Sequence, residues 1–387
     1  MKETRLDTII REKNLYQCLE CGKCATSCPR CMSGKEYSPR LLAHKIIAER
    51  EDETFIENAV WECLTCDLCS ERCPSGVDFS GFILDMRALL METKGLKGYR
   101  AHDGAVHSWI RMMTVPELKQ NRLDWITENL KVRSVGDVAY FVGCAPYFDV
   151  FFSGIQVDTL SIARDSIRLL NFLDIEPVLV SDERCCGHDL LWTGDRKNFA
   201  ALCRLNYEAF KAAGVKEIIC SCPECYYIWH EHMPRLCQGF DLRVTLLLDL
   251  LEREMNKGGM TFHAWKERVT FQDPCRLSRM MGRADVPRAL LNLIPQLRLV
   301  EMDHFGRGAI CCGNCGFINC DAYSKQIQIE RLKEARSTRA HTLITACPKC
   351  MIHLTCAIRD RSRVGMWQME ICDLITILAR QIAWDAG

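Results

Sequence analysis

Net charge is the first thing this sequence lacks: 50 Lys and Arg residues balance 50 Asp and Glu residues over 387 positions. A neutral chain gives no electrostatic argument for binding nucleic acid or an anionic membrane surface. Long hydrophobic runs are missing too. The apolar run from Ala139 ends at Asp149, too short to cross a bilayer. No apolar stretch follows Met1–Arg5, so the sequence predicts no secretory signal and a cytoplasmic location. No GxGxxG opens a helix and no GxxxxGK[ST] occurs, which leaves no visible flavin or nicotinamide site. What remains is an ordinary globular composition, 48% apolar and 26% charged, at a length of two or three domains.

The abundance lies in 26 cysteines. A chain this long can bury a core without disulfide staples, and in a reducing compartment clustered cysteines are read as metal ligands. Residues 18–73 hold nine of them and the next seventy residues hold none. The stretch from about Lys94 to Asp137 carries Gly95, Gly98, Gly104, Pro116 and many charges, and reads as a connector with some helix.

From Cys144 the pattern is a repeat. Cys144 ends one apolar run and Cys275 another. Cys185-Cys186-Gly187 matches Cys311-Cys312-Gly313, and Cys222-Pro-Glu-Cys225 matches Cys347-Pro-Lys-Cys350, at offsets of 131, 126 and 125 residues. Two copies of one domain follow, with the boundary near Lys257–Gly259. Val138–Val142, Pro177–Val180, Val215–Cys220, Val269–Gln272 and Thr342–Ala346 read as short buried strands. Asp158–Leu173, Asn198–Ala213 and Tyr323–Ser337 read as helices between them. Alternation of this kind predicts α/β domains with largely parallel sheets, whose strand ends hold ligands. The cysteines sit at those ends.

The N-terminal block is Cys18-x2-Cys21-x2-Cys24-x3-Cys28-Pro29, then Cys63-x2-Cys66-x2-Cys69-x3-Cys73-Pro74. This is the bacterial ferredoxin run, twice. Three cysteines on a tight loop take three corners of a cubane, and the fourth is carried to the other cluster. One [4Fe-4S] cluster is expected on Cys18, Cys21, Cys24 and Cys73, the other on Cys63, Cys66, Cys69 and Cys28. Zinc sites use paired CxxC knuckles instead. Pro39–Ala48 and Thr54–Glu62 read as helices, so the domain is expected to be helical.

Each repeat carries five cysteines: Cys144, Cys185, Cys186, Cys222 and Cys225, then Cys275, Cys311, Cys312, Cys347 and Cys350. Five thiolates are one more than a cubane needs. Gly187 and Gly313 permit positive φ and close backbone approach. The duplicated C-x(n)-CCG-x(n)-CxxC pattern resembles the catalytic B subunit of heterodisulfide reductase. The N-terminal block resembles that enzyme's C subunit, and the fusion resembles the D subunit of the membrane-associated form. The resemblance covers residues 1–380. It implies a noncubane [4Fe-4S] cluster on each five-cysteine set, a shared substrate cavity, and reduction of a CoM-S-S-CoB-type disulfide with the ten CCG cysteines at the catalytic centre. It also implies a flavin-containing iron–sulfur subunit or a membrane cytochrome as electron donor. A non-catalytic electron-transfer subunit of a larger bifurcating or dehydrogenase/reductase complex is the alternative.

The expected architecture is a helical two-cluster ferredoxin domain (1–95), a connector (96–136), and two α/β CCG domains (137–258 and 259–387) in pseudo-twofold relation. Eight cysteines remain without an assigned role: Cys31, Cys203, Cys220, Cys237, Cys315, Cys320, Cys356 and Cys372, with Cys220 and Cys315 nearest to ligand loops. His188 could serve a leaving thiolate or be structural, and Arg276 and Lys349 could orient an anion or pair with carboxylates. His230 and His232 are read as structural.

Overall fold

The computed structural model describes residues 4–49, 53–255, 257–258, 260–360 and 368–384. The expected boundary at Lys257–Gly259 lies partly outside them, at Gly259. The first block is helical as the sequence predicts. Short helices at Arg5–Glu12, Lys23–Ser27, Pro29–Met32, Pro39–His44, Glu53–Glu62 and Leu68–Glu71 lead into the longer Phe79–Lys94. Pro29 and Pro39 each begin a helix, where a missing N–H costs nothing. Ile10, Leu15, Leu42, Ile46, Val60, Phe82 and Ile83 form the dry centre of this block.

The stretch expected as a connector is not a free linker. It contains the helix Ala105–Met112, and Ala101, Val106, Ile110, Met113, Trp125 and Leu130 are buried in the core of the following domain. The spacing Val106–Ile110–Met113 makes one apolar helical face, and burying that face fixes the segment in place.

The repeat forms two parallel sheets. In the first, β1 (Val138–Phe141), β2 (Glu217–Cys220) and β3 (Arg243–Leu246) lie in the order β1-β2-β3. The expected strand at Pro177–Val180 pairs only at Val178, whose N–H donates to Val138 O on the free side of β1. In the second sheet β4 (Arg268–Gln272), β5 (Arg298–Leu299), β6 (Thr342–Thr345) and β7 (Glu370–Asp373) lie in the order β5-β4-β6-β7. Counting the Val178 segment, both copies place their elements in the same spatial order. Helices Leu160–Phe172, Arg196–Ala212 and Ala322–Ser337 match the expected spans to within two residues. Every CCG-type cysteine lies in a loop or at a helix start that follows such an element.

Candidate functional site

In the first repeat Cys144 follows β1 and opens the helix Ala145–Phe151, the Cys185-Cys186-Gly187 turn opens His188–Trp192, and Cys222 opens Pro223–Tyr227. The three loops converge. Cys144 Sγ lies 2.7 Å from Cys185 Sγ and Cys225 Sγ 3.6 Å from Cys186 Sγ. Cys222 lies against Cys225. Gly187 has φ +80°, and a Cβ there would come within 2.8 Å of the Phe199 ring. Buried Glu183 fixes the approach to Cys144: it accepts from Gly143 N at 2.6 Å, Val142 N at 3.2 Å and Arg122 Nη2 at 2.6 Å.

The second repeat has the same construction. Cys275 and Cys312 both lie against Cys311, Cys350 Sγ is 3.4 Å from Cys312 Sγ, and Cys347 lies against Cys350. Gly313 has φ +87°, and its Cβ would meet the Ser324 carbonyl at 3.0 Å. All ten thiols belong to free cysteines, and all but Cys222 and Cys275 are buried.

In the helical block Cys24 faces Cys18 and Cys21, while Cys69 faces Cys63 and Cys66. Cys28 lies within electrostatic reach of Cys66. Cys73 accepts from Val77 N at 3.4 Å. Cys21 is exposed, whereas Cys63 and Cys66 are buried.

The three constellations touch. Cys66 lies against Cys311 of the second repeat, and Cys222 of the first repeat lies against Cys347 of the second. Beside Cys311 and facing Arg279, Cys66 is brought down to about 7 despite its burial. Beside Cys311 and facing Arg276 and Arg279, Cys275 falls to about 6. Burial pushes Cys63 up to about 11 against the pull of Arg87.

A polar cluster joins the two repeats. Lys349 Nζ donates to Glu224 Oε2 at 2.6 Å, to Asp189, and lies 3.2 Å from His188 Nδ1. Arg276 Nε donates to His188 Nε2 at 3.3 Å, and its guanidinium lies 4.2 Å over the Trp192 ring. That donor leaves His188 neutral at Nε2, and burial followed by the Lys349 charge holds its pKa well below the usual imidazole range. Of the two roles open to Lys349, pairing with carboxylates is the one the structure displays. Arg276 instead meets the Thr65 carbonyl and hydroxyl. Sequence reasoning missed Asp189, Glu224, Thr65 and Arg279. The signal for one was present: Glu224 and Lys349 hold the same position of the two CPxC loops with opposite charge.

Most of the unassigned cysteines sit apart from the ligand loops. Cys203, Cys220 and Cys237 are core residues of the first repeat. Cys31 Sγ donates to the Tyr37 carbonyl at 2.6 Å. Cys31, which also lies against Cys28, and Cys315 are exceptions in place: Cys315 is buried, 3.0 Å from Thr65 Oγ1 and 3.7 Å from Arg87 Nη1. His230 bonds Glu231 at the surface and His232 packs on Phe199.

The donor set suits iron–sulfur groups. Free thiols converge in sets, and backbone amides donate to sulfur at Cys63 from Thr65 N (3.2 Å), at Cys73 from Val77 N (3.4 Å) and at Cys185 from Gly187 N (3.4 Å). Hydrogen bonds of this kind tune cluster thiolates. Arg279 Nη2, buried at the seam of Cys66 and Cys275, has no hydrogen-bond partner among the described residues.

Comparison with known proteins agrees with this geometry. The cysteine-rich domain family CCG matches residues 138–228 and again 269–355, and the 4Fe-4S dicluster domain matches residues 14–77. The chain is similar to the D subunit of the dihydromethanophenazine:CoB–CoM heterodisulfide reductase of Methanosarcina acetivorans, 28% identical over 98% of this chain and 97% of that one. It is also similar to the B subunit of the fumarate reductase (CoM/CoB) of Methanothermobacter marburgensis, 24% identical over 95% of this chain and 72% of that one. A solved structure of a hypothetical protein from Helicobacter pylori shares the fold, with TM-score 0.51 at 12% identity over 99% of this chain and 72% of that one.

Proposed function

The chain belongs to the heterodisulfide reductase family, carrying a 4Fe-4S dicluster domain ahead of two CCG domains, and we propose that it reduces a CoM-S-S-CoB-type disulfide or a related acceptor as the iron–sulfur subunit of a larger complex. The observation that supports this reading most is the double contact Cys66–Cys311 and Cys222–Cys347, which strings the ferredoxin loop and both five-cysteine sets together. We assign one cubane to Cys18, Cys21, Cys24 and Cys73, the other to Cys63, Cys66, Cys69 and Cys28, and a noncubane [4Fe-4S] cluster to each five-cysteine set. Bound there, the clusters supply one-electron transfer, within a span of roughly −700 to +450 mV that brackets thiol–disulfide couples. The net reaction takes one disulfide, two electrons and two protons to two thiols.

The chain's own residues prepare that chemistry. Gly187 and Gly313 let the backbone pass close to each adjacent cysteine pair. Lys349, held between Asp189 and Glu224, locks the CPxC loop of the second copy to the first and so sets Cys347 beside Cys222. A cavity of about 540 Å³ lined by Trp192, Tyr227, Leu84 and Met280 opens between the helix Phe79–Lys94 and the first repeat. Its volume suits a small molecule. The recurring strand order supports a pseudo-twofold relation of the CCG domains (137–258 and 259–387), with 96–136 packed on the first and 1–95 as the ferredoxin domain.

Among the described residues no helix is long and apolar enough to cross a membrane. The proposed donor is a flavin-containing iron–sulfur subunit or a membrane cytochrome, so that any membrane association runs through a partner of a cytoplasmic chain. The test is the full chain loaded with iron and sulfide under anaerobic conditions and given a reduced viologen dye and a mixed disulfide. Two thiols should appear per disulfide consumed. Full iron content with no thiol release would instead favour a non-catalytic electron-transfer subunit.

A further inference from the structure

Three buried arginines meet on one loop. Arg87 of the helix Phe79–Lys94 donates to the carbonyl of Cys63 at 2.6 Å, Arg276 to the carbonyl of Thr65, and Arg279 to the carbonyl of Cys66 at 2.7 Å. Each is at most 4% exposed. Among the described residues none of the three forms an ion pair with a carboxylate. Arg30, Arg122 and Arg331 are as deeply buried, and each meets one: Asp321, Glu183 and Glu334 respectively. Carbonyl oxygens satisfy N–H groups but leave the charge uncancelled, and an uncompensated buried charge is costly. Glu224 acts on Arg276 and Glu71 on Arg279 without pairing, and the nearest groups that can carry the opposing negative charge are the thiols of the seam.

The arginines differ in how much of their fork is used. Arg87 is saturated by carbonyls of Val60, Trp192 and Cys63, which makes it a clamp within the ferredoxin block and against the first repeat. Arg276 and Arg279 come from the second repeat and point at the seam. Arg276 Nη1 lies 3.5 Å from Cys275 Sγ. Arg279 holds the carbonyls of Ala309 and Arg307 with Nη1, while its Nη2 is buried without a partner among the described residues. Both charges act on the Cys275 thiol, and that of Arg279 also acts on Cys66.

We propose that Arg276 and Arg279 are positioning residues that hold fixed positive charge at the seam between the Cys63–Cys66 loop and the second CCG site, so that an electron arriving at that seam is stabilised. The inference rests on the iron–sulfur reading above and deepens it. In a transfer across this seam, one electron would leave the group held by Cys63, Cys66, Cys69 and Cys28, which would be oxidised. The group held by the second five-cysteine set is reduced by that electron. No bond breaks and no proton moves. A nearby fixed cation lowers the energy of the more negative oxidation state, and burial keeps salt from screening it.

The experiment is a potentiometric titration, followed by EPR, of the anaerobically loaded full chain and of Arg276→Gln, Arg276→Lys, Arg279→Gln and Arg279→Lys. The glutamine variants should titrate at more negative potential. At a fixed potential their reduced-to-oxidised ratio should fall about tenfold, or about 59 mV for one electron. The lysine variants, which keep the charge and lose the fork, should stay near the parent. Glutamine and lysine shifting alike, or neither shifting, at full iron content would overturn the proposal while leaving the proposed function standing. Iron lost from the glutamine variants and kept by the lysine variants supports it. Iron lost from both reduces the arginines to shape alone and overturns it. A parent chain that takes up no iron overturns this proposal and the function together.

Discussion

Gly187 and Gly313 carry the tightest local constraint on the chemistry, because each stands directly after a cysteine pair at positive φ with no room for a Cβ. Gly187→Ala forces a methyl group against the Phe199 ring in a backbone conformation alanine resists. A cost of about 1–3 kcal/mol follows. Thermal melts should register it, and iron analysis should show depletion at the first five-cysteine set before the second. His107 provides the pH prediction. Burial holds it down to about 4, so it stays neutral in the folded chain at pH values where an unfolded imidazole already takes a proton. The sign follows: stability is full above about pH 6.5 and falls as pH drops toward 4, by up to about 3 kcal/mol. His107→Phe should flatten that part of the stability curve, as read from urea unfolding at pH 7 and pH 5. Cysteine spacing made the thiol sets legible. Arg279 and Asp189 were not, and Arg276 stood out without its contacts at the seam, because these depend on the meeting of loops far apart in the chain, as in the 211-residue separation of Arg276 from Thr65.

At the scale of elements, short apolar runs ending at cysteines identified β1, β2, β4 and β6, the inner strands that are buried on both faces. The edges were harder to read. β5 is two residues long and β3 and β7 begin with exposed residues, so neither length nor alternation marks them. Pro177–Val180, read as a strand, pairs at one residue only. The 96–136 segment misleads through composition: glycines and charges dominate, while the few apolar residues that fix it are spaced along one helix face. The element-scale prediction concerns the loop of the last CPxC. Lys349→Met leaves Asp189 and Glu224 buried without their cation, and breaking a buried pair this way costs about 3–5 kcal/mol. The variant should unfold more easily in urea and lose iron from both repeats, whereas Lys349→Arg should retain part of both. Equal stability of Lys349→Met and the parent chain would remove this lock from the account.

Over the whole molecule, the helical block is tied to the second repeat by Arg30. Its guanidinium reaches both oxygens of Asp321 at 2.9 and 2.8 Å, Ser324 Oγ at 3.1 Å and Glu62. Arg30→Met should loosen this junction, and hydrogen exchange should rise in Pro29–Met32 and around Asp321 while the first repeat stays protected. The domain order and the repeat were legible because motif spacing survives without any contact information. The mutual placement was not, because it rests on charged residues such as Arg30 and Asp321 that lie 291 positions apart and look like ordinary surface residues in sequence.

The most direct test of the central claim is metal and sulfide quantification with Mössbauer spectra on the anaerobically prepared full chain, beside Cys185→Ser and Cys311→Ser variants. Four clusters of four predict about sixteen irons, with about four lost in each variant and a distinct spectral component missing each time. Zinc in place of iron would contradict the account, as would a full iron complement that neither substitution changes.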